Sequence, residues 1–98
     1  MAQLPCEKDT SDLIEVTIID FAAQAVGTSP KEFDITQTVT KSGYTPIGIA
    51  GYGLGRIANV FYSGVKLDSS GVHIMGYNNT GSQQYVGGKI NVMWKKNS

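Results

Sequence analysis

At 98 residues the chain is one domain, and as a monomer it is too short to bury more than a thin core. Its apolar share of 41% suffices for folding, while eight basic and eight acidic residues cancel, which argues against polyanion affinity and hence against a nucleic-acid partner. A single cysteine, Cys6, excludes a disulfide framework and a cysteine-based metal site.

Residues 1–12 read as a flexible arm ahead of one domain spanning 13–98. Met1 to Thr10 shows no apolar leader, and no run approaches the roughly 20 apolar residues that a bilayer span needs. The expectation is a chain made in the cytoplasm without membrane insertion. Charge is unevenly spread. Glu7, Asp9, Asp12, Glu15 and Asp20 crowd the start, whereas between Ser42 and Gly88 only Arg56, Lys66 and Asp68 are charged. That neutral stretch, rich in Gly, Tyr, Asn and Ser, suits either hydrogen-bonded sheet and turns or a contact surface for other subunits or uncharged sugars.

In chain order, "LIEVTIIDF" (13–21) is β-branched and free of Gly and Pro, with Ile14, Val16 and Ile18 on one strand face and Glu15 and Thr17 on the other. "QAVGTSP" is a connection. "KEFDITQTV" alternates Phe33 and Ile35 against Asp34 and Thr36. "TKSG" is a turn, and "YTPIGIAGY" alternates Ile47 and Ile49 against Gly48 and Ala50, with Pro46 at a strand start or edge. "IANVFYSG" sets Val60 and Tyr62 against Phe61 and Ser63. Asp68-Ser69-Ser70-Gly71 is a turn. "VHIMGYN" sets Val72, Ile74 and Gly76 against His73, Met75 and Tyr77. "NNTG" (78–81) reads as a hairpin turn, because Asn and Gly tolerate positive φ. The final stretch aligns Ile90, Val92 and Trp94 against Asn91, Met93 and Lys95, and Gly87-Gly88 marks a bulge or bend. Six to seven strands with no helical period predict an all-β fold, a small antiparallel β-sandwich or barrel.

The run "GYGLG" (51–55) resembles a nucleotide loop only superficially. Its spacing is Gly-x-Gly-x-Gly, and "RIANVFYSG" after it reads as a strand where a phosphate-binding loop needs a helix. Gly48, Gly51, Gly53 and Gly55 are better read as room for a bend or for close packing. The sequence gives no support for a catalytic site: His73 is the lone histidine, mid-strand, and the acids cluster as a solvated face would have them. One histidine also makes no usual zinc site, so neither a metal nor another cofactor is expected. Tyr44, Tyr52, Tyr62, Tyr77 and Tyr85 all lie in the charge-poor region. Tyrosine rings stack on sugar C–H faces, and Asn and Gln amides match hydroxyls, although tyrosine is also an ordinary strand residue.

Together "FDITQTVTKSGYTPIGIAGY", "VFYSGVKLDSSGVHIMGYNNTGSQ" and "KINVMWKK", over roughly residues 30 to 96, resemble the small C-terminal tip domain of phage and prophage tail-fibre and baseplate proteins. "GYTPIGIAG" carries most of the specificity. The resemblance implies a β-sandwich that assembles as a homotrimer on a virion, binding a carbohydrate of the host surface and catalysing nothing. The alternative is a structural virion protein, a capsid decoration or head-fibre knob, whose partners are other virion proteins. In tips of this kind the distal turns face the host. The most polar uncharged turn here, Tyr77 to Gln84, makes Tyr77, Asn78, Asn79 and Gln83 the candidate ligand-binding residues, with Tyr52 and Tyr62 as further stacking faces. His73 and Met75, on Tyr77's face, would support that patch.

Overall fold

Six strands organise residues 13–97, the part of the chain that the computed structural model describes. They are β1 (Ile14–Val26), β2 (Glu32–Gln37), β3 (Tyr44–Leu54), β4 (Val60–Asp68), β5 (Gly71–Asn78) and β6 (Gln84–Lys96). The predicted arm and Cys6 lie outside the described residues. All pairings are antiparallel and form two three-stranded sheets, the first in the order β1-β6-β3 and the second in the order β2-β5-β4. The all-β sandwich expected from the alternation is the fold observed.

The core lies between the sheets. Phe21, Val26, Val86, Ile90, Val92 and Trp94 enter it from the first sheet, and Ile35, Val60, Val72 and Ile74 from the second. The alternation in β2, β4, β5 and β6 therefore sorts inward from outward as the sequence indicates. At β1 it does not. The run of Ile and Val at positions 14, 16 and 18 invites burial, yet Val16 and Ile18 are 52% and 66% exposed. The inward face belongs to Thr17, Ile19 and Phe21, and the buried indole of Trp94 donates from Nε1 to Thr17 Oγ1 at 2.8 Å. A buried N–H needs an acceptor, so the hydroxyl goes in and the aliphatic residues go out.

The expected hairpin at 78–81 is corrected by the topology. β5 belongs to the second sheet and β6 to the first, so Asn78-Asn79-Thr80-Gly81 begins a crossover between sheets. The connections β1–β2, β2–β3 and β3–β4 cross as well, and the one hairpin among the described residues is β4–β5, closed at Ser69-Ser70. The glycine expectation moves too. A Cβ at Gly53 would meet nothing within 4 Å, and one at Gly51 or Gly55 only ordinary contacts at 3.6 Å. In the first sheet the tight positions are on β6, its central strand. A Cβ at Gly87 would sit 2.6 Å from the Phe21 carbonyl oxygen, and one at Gly88 2.4 Å from that of Gly53. Gly87 faces a bulge in β1 between Phe21 and Gln24, so the bulge signalled by the double glycine lies on the partner strand. As expected, "GYGLG" is followed by a turn and strand β4, not by a helix.

A candidate binding groove and a histidine clasp on the second sheet

The outer face of the second sheet collects side chains at alternate positions of three strands. β2 presents Glu32 and Asp34, β4 presents Phe61 and Ser63, and β5 presents His73, Met75 and Tyr77. The register sets Glu32 and Phe61 either side of Tyr77, and Asp34 beside Met75. A bulge in β4 between Tyr62 and Gly64 adds Ser63 to this face. The result is an open groove of about 520 Å³, lined by these residues together with Phe33, Tyr62 and Gly76. Gly76 is required here: a Cβ would lie 2.5 Å from the Phe33 ring and 2.2 Å from the Phe61 carbonyl oxygen. Phe33 meets Tyr62 edge to face, with centroids 6.4 Å apart. Phe61 and Tyr77 remain 56% and 41% exposed, so two aromatic surfaces are offered to solvent beside two carboxylates and a hydroxyl.

Of the residues singled out from the sequence, Tyr77 and Tyr62 meet in this groove. Tyr62 also borders a second groove of about 310 Å³ with Tyr52 and Arg56, and its hydroxyl donates to the Gly55 carbonyl at 2.5 Å. Burial pushes the Tyr62 hydroxyl above its ordinary pKa, so it stays a donor. Within the expected binding turn, Asn78 is corrected by the structure. Asn78 is fully buried, and its amide is spent internally. Nδ2 donates to the carbonyl oxygens of Val26, Gly27 and Ser82 at 3.1, 3.2 and 3.0 Å, and Oδ1 accepts from the Thr80 backbone N–H and hydroxyl. Asn78 therefore pins the crossover and has no polar atom left for a ligand. Asn79 is exposed and accepts from Lys31 Nζ at 3.1 Å, and Gln83 donates to the Tyr85 hydroxyl at 3.2 Å. Neither lines a groove with Tyr77.

Compared with known protein families, curated proteins and solved structures, the chain matches none.

Beside the groove sits a cluster that the sequence did not announce. His73 is 8% exposed although it lies on the outer face. Its Nδ1 is 2.7 Å from Asp34 Oδ1 and 3.0 Å from Thr36 Oγ1, both on β2. Its Nε2 is 2.9 Å from Asp68 Oδ1 and 2.8 Å from Ser70 Oγ, at the β4–β5 hairpin. The bond to Asp34, opposed by burial and reinforced by the bond to Asp68, raises the His73 pKa above its ordinary value of 6.5. The Ser70 hydroxyl and backbone N–H, and then His73, hold the Asp68 carboxyl well below the usual carboxylate range.

Ser70, His73 and Asp34 thus have the distances of a Ser-His-Asp array, but the protons are in the wrong places. Activating a serine requires a bare Nε2 to take the hydroxyl proton. In the protonated ring Nε2–H faces Asp68, while the Ser70 hydroxyl donates to Asp68 Oδ1 at 2.6 Å. With the ring protonated, the arrangement stores charge and ties the strands together. Among the described residues no group of three or more His, Cys, Asp or Glu is placed to hold a metal ion.

The signal for the groove was present as i, i+2 spacing: 32 and 34, 61 and 63, 73, 75 and 77. The second strand's carboxylates and Phe61 were missed because single-strand alternation does not say which strands are neighbours.

Proposed function

We propose that the protein is a carbohydrate-recognition module of the kind that tips phage tail fibres and baseplates, working as a homotrimer on the virion and binding host-surface glycan without catalysis. The observation that carries this reading is the exposed aromatic pair Phe61 and Tyr77 beside Glu32, Asp34 and Ser63. Sugar rings have apolar C–H faces that stack on aromatic rings, and their hydroxyls donate to carboxylates. An open groove of this size binds weakly, in the roughly millimolar range per copy, so attachment relies on avidity across copies. Titrating cell-wall glycan fragments into wild type and a Phe61→Ala/Tyr77→Ala variant tests the site. The expected result is at least a tenfold loss with folding intact; undiminished binding by the folded variant overturns it. Light scattering at micromolar concentration tests assembly, and a monomer of 10.5 kDa would overturn the trimer.

A structural virion protein is the second reading, and one observation favours it. On the outer face of the first sheet Val16, Ile18 and Ile47 are 52%, 66% and 48% exposed around Met93. Exposed apolar area of this kind suits a permanent protein contact. Binding to capsid or tail protein that survives the groove variant and is lost with Ile18→Lys would favour that reading over the glycan one.

A further inference from the structure

His73 hydrogen-bonds to both strands that flank its own in the second sheet. It stands on the central strand β5, and its ring nitrogens meet carboxylates contributed by both edge strands, Asp34 on β2 and Asp68 on β4. Only an imidazolium has an N–H for each. A neutral ring must turn a lone pair toward one carboxylate oxygen, which is repulsive. We infer that His73 is a proton-operated clasp: protonated, it binds both edge strands to β5, and on losing the proton from Nε2 it lets go of Asp68 and removes the positive charge beside the groove.

The geometry selects Nε2 as the nitrogen that gives up its proton. Its carboxylate contact is the longer, 2.9 Å against 2.7 Å at Nδ1, and its neighbouring hydroxyl is the closer, Ser70 at 2.8 Å against Thr36 at 3.0 Å. The Ser70 hydroxyl then swings from Asp68 and donates to the bare nitrogen, while Nδ1–H keeps Asp34. Asp68 keeps the Ser70 backbone N–H at 2.9 Å and has Lys66 Nζ at 3.8 Å.

The charged groups facing His73 are Asp34 from β2 and Lys66 and Asp68 from β4. Within β5 no neighbour is titratable except Tyr77, four residues away. Two cations and two anions give this set a net charge of zero below the transition, and −1 above it. Asp34 also lines the groove, so the change in field falls on the groove wall. The clasp operates whether or not the groove takes a sugar.

The sign follows from linkage. A histidine whose folded pKa is raised contributes stability that is fully present below about 6.5 and is lost as pH rises through the folded value. Asp68, held low, contributes above its ordinary 3.8 and loses that contribution as pH falls through its folded value. Stability contributed by the clasp is therefore greatest between these limits.

The chain contains one histidine, so nitrogen NMR reads the clasp without ambiguity. Titrating the whole protein from pH 5 to 10 should show His73 titrating above 6.5, with the proton retained on Nδ1 in the neutral form. Asp34→Asn and Asp68→Asn should each lower that midpoint. The wild-type melting temperature should fall across the same transition, and the Asp68→Asn protein should lose much of that fall. A His73 midpoint at or below 6.5, a neutral ring protonated on Nε2, or a melting temperature flat from pH 6 to 9 would overturn the inference.

Discussion

Asn78 shows how one residue type serves opposite ends. An asparagine in a polar, glycine-bearing stretch suggests a solvent-facing amide. Whether the amide faces out depends on where the next strand goes, which local sequence does not reveal. Because β6 starts in the other sheet, the chain at 78–83 must cross the sandwich edge, leaving the Val26, Gly27 and Ser82 carbonyls in need of donors. Asn78 satisfies them, and no buried side-chain polar atom among the described residues lacks a partner. Asn78→Ala removes these bonds and leaves buried carbonyls bare, so it should destabilise by about 2–4 kcal/mol, measured by urea denaturation. Asn79→Ala, on an exposed side chain, should stay within about 0.5 kcal/mol. Equal effects from the two would mean that the crossover is not held by Asn78.

β1 carries the lesson at the level of elements. Strand existence was legible from period-two patterning in all six strands, and in four of them the buried face was legible too. In β1 both faces are apolar: Ile14, Val16 and Ile18 on one, Ile19 and Phe21 on the other, so hydrophobicity alone leaves the choice open. The choice is settled by Trp94, which needs the Thr17 hydroxyl. A counter-intuitive pair of substitutions follows. Thr17→Val raises hydrophobicity in the core yet strands a buried indole N–H, and should destabilise by about 1–3 kcal/mol. Ile18→Thr lowers hydrophobicity on the exposed face and should change stability by no more than about 0.5 kcal/mol in the monomer. The reverse ranking in thermal or urea melts would place the wrong face inward. The glycines follow the same logic. "GYGLG" drew attention by its density, but density reports nothing about neighbours, and the backbones that press on β6 at Gly87 and Gly88 come from strands β1 and β3.

The whole chain is organised by two central strands. β5 pairs with two strands that precede it, β2 and β4, the second through the tight β4–β5 hairpin. β6 is different. It is the last strand, it is the middle of the first sheet, and it pairs with β1 at the opposite end of the chain, Ile14 with Lys95. It also brings Val86, Ile90, Val92 and Trp94 into the core. The first sheet therefore has no centre until the chain is nearly closed on itself, and the entropy of closing that loop is spent before the β6 contacts return it. Only the β4–β5 hairpin is cheap to form early. Refolding should accordingly be slow for so small a domain, in the roughly millisecond-to-second range of sheet proteins dominated by distant pairings. The burial of Trp94 should occur in the main phase, because it pairs with β1 and β3 and its indole is held by Thr17 of β1. Stopped-flow fluorescence from the single tryptophan measures this directly. Microsecond folding cannot arise from this order of strands; observation of sub-millisecond Trp94 burial would show that β1 and β6 meet before the second sheet is built.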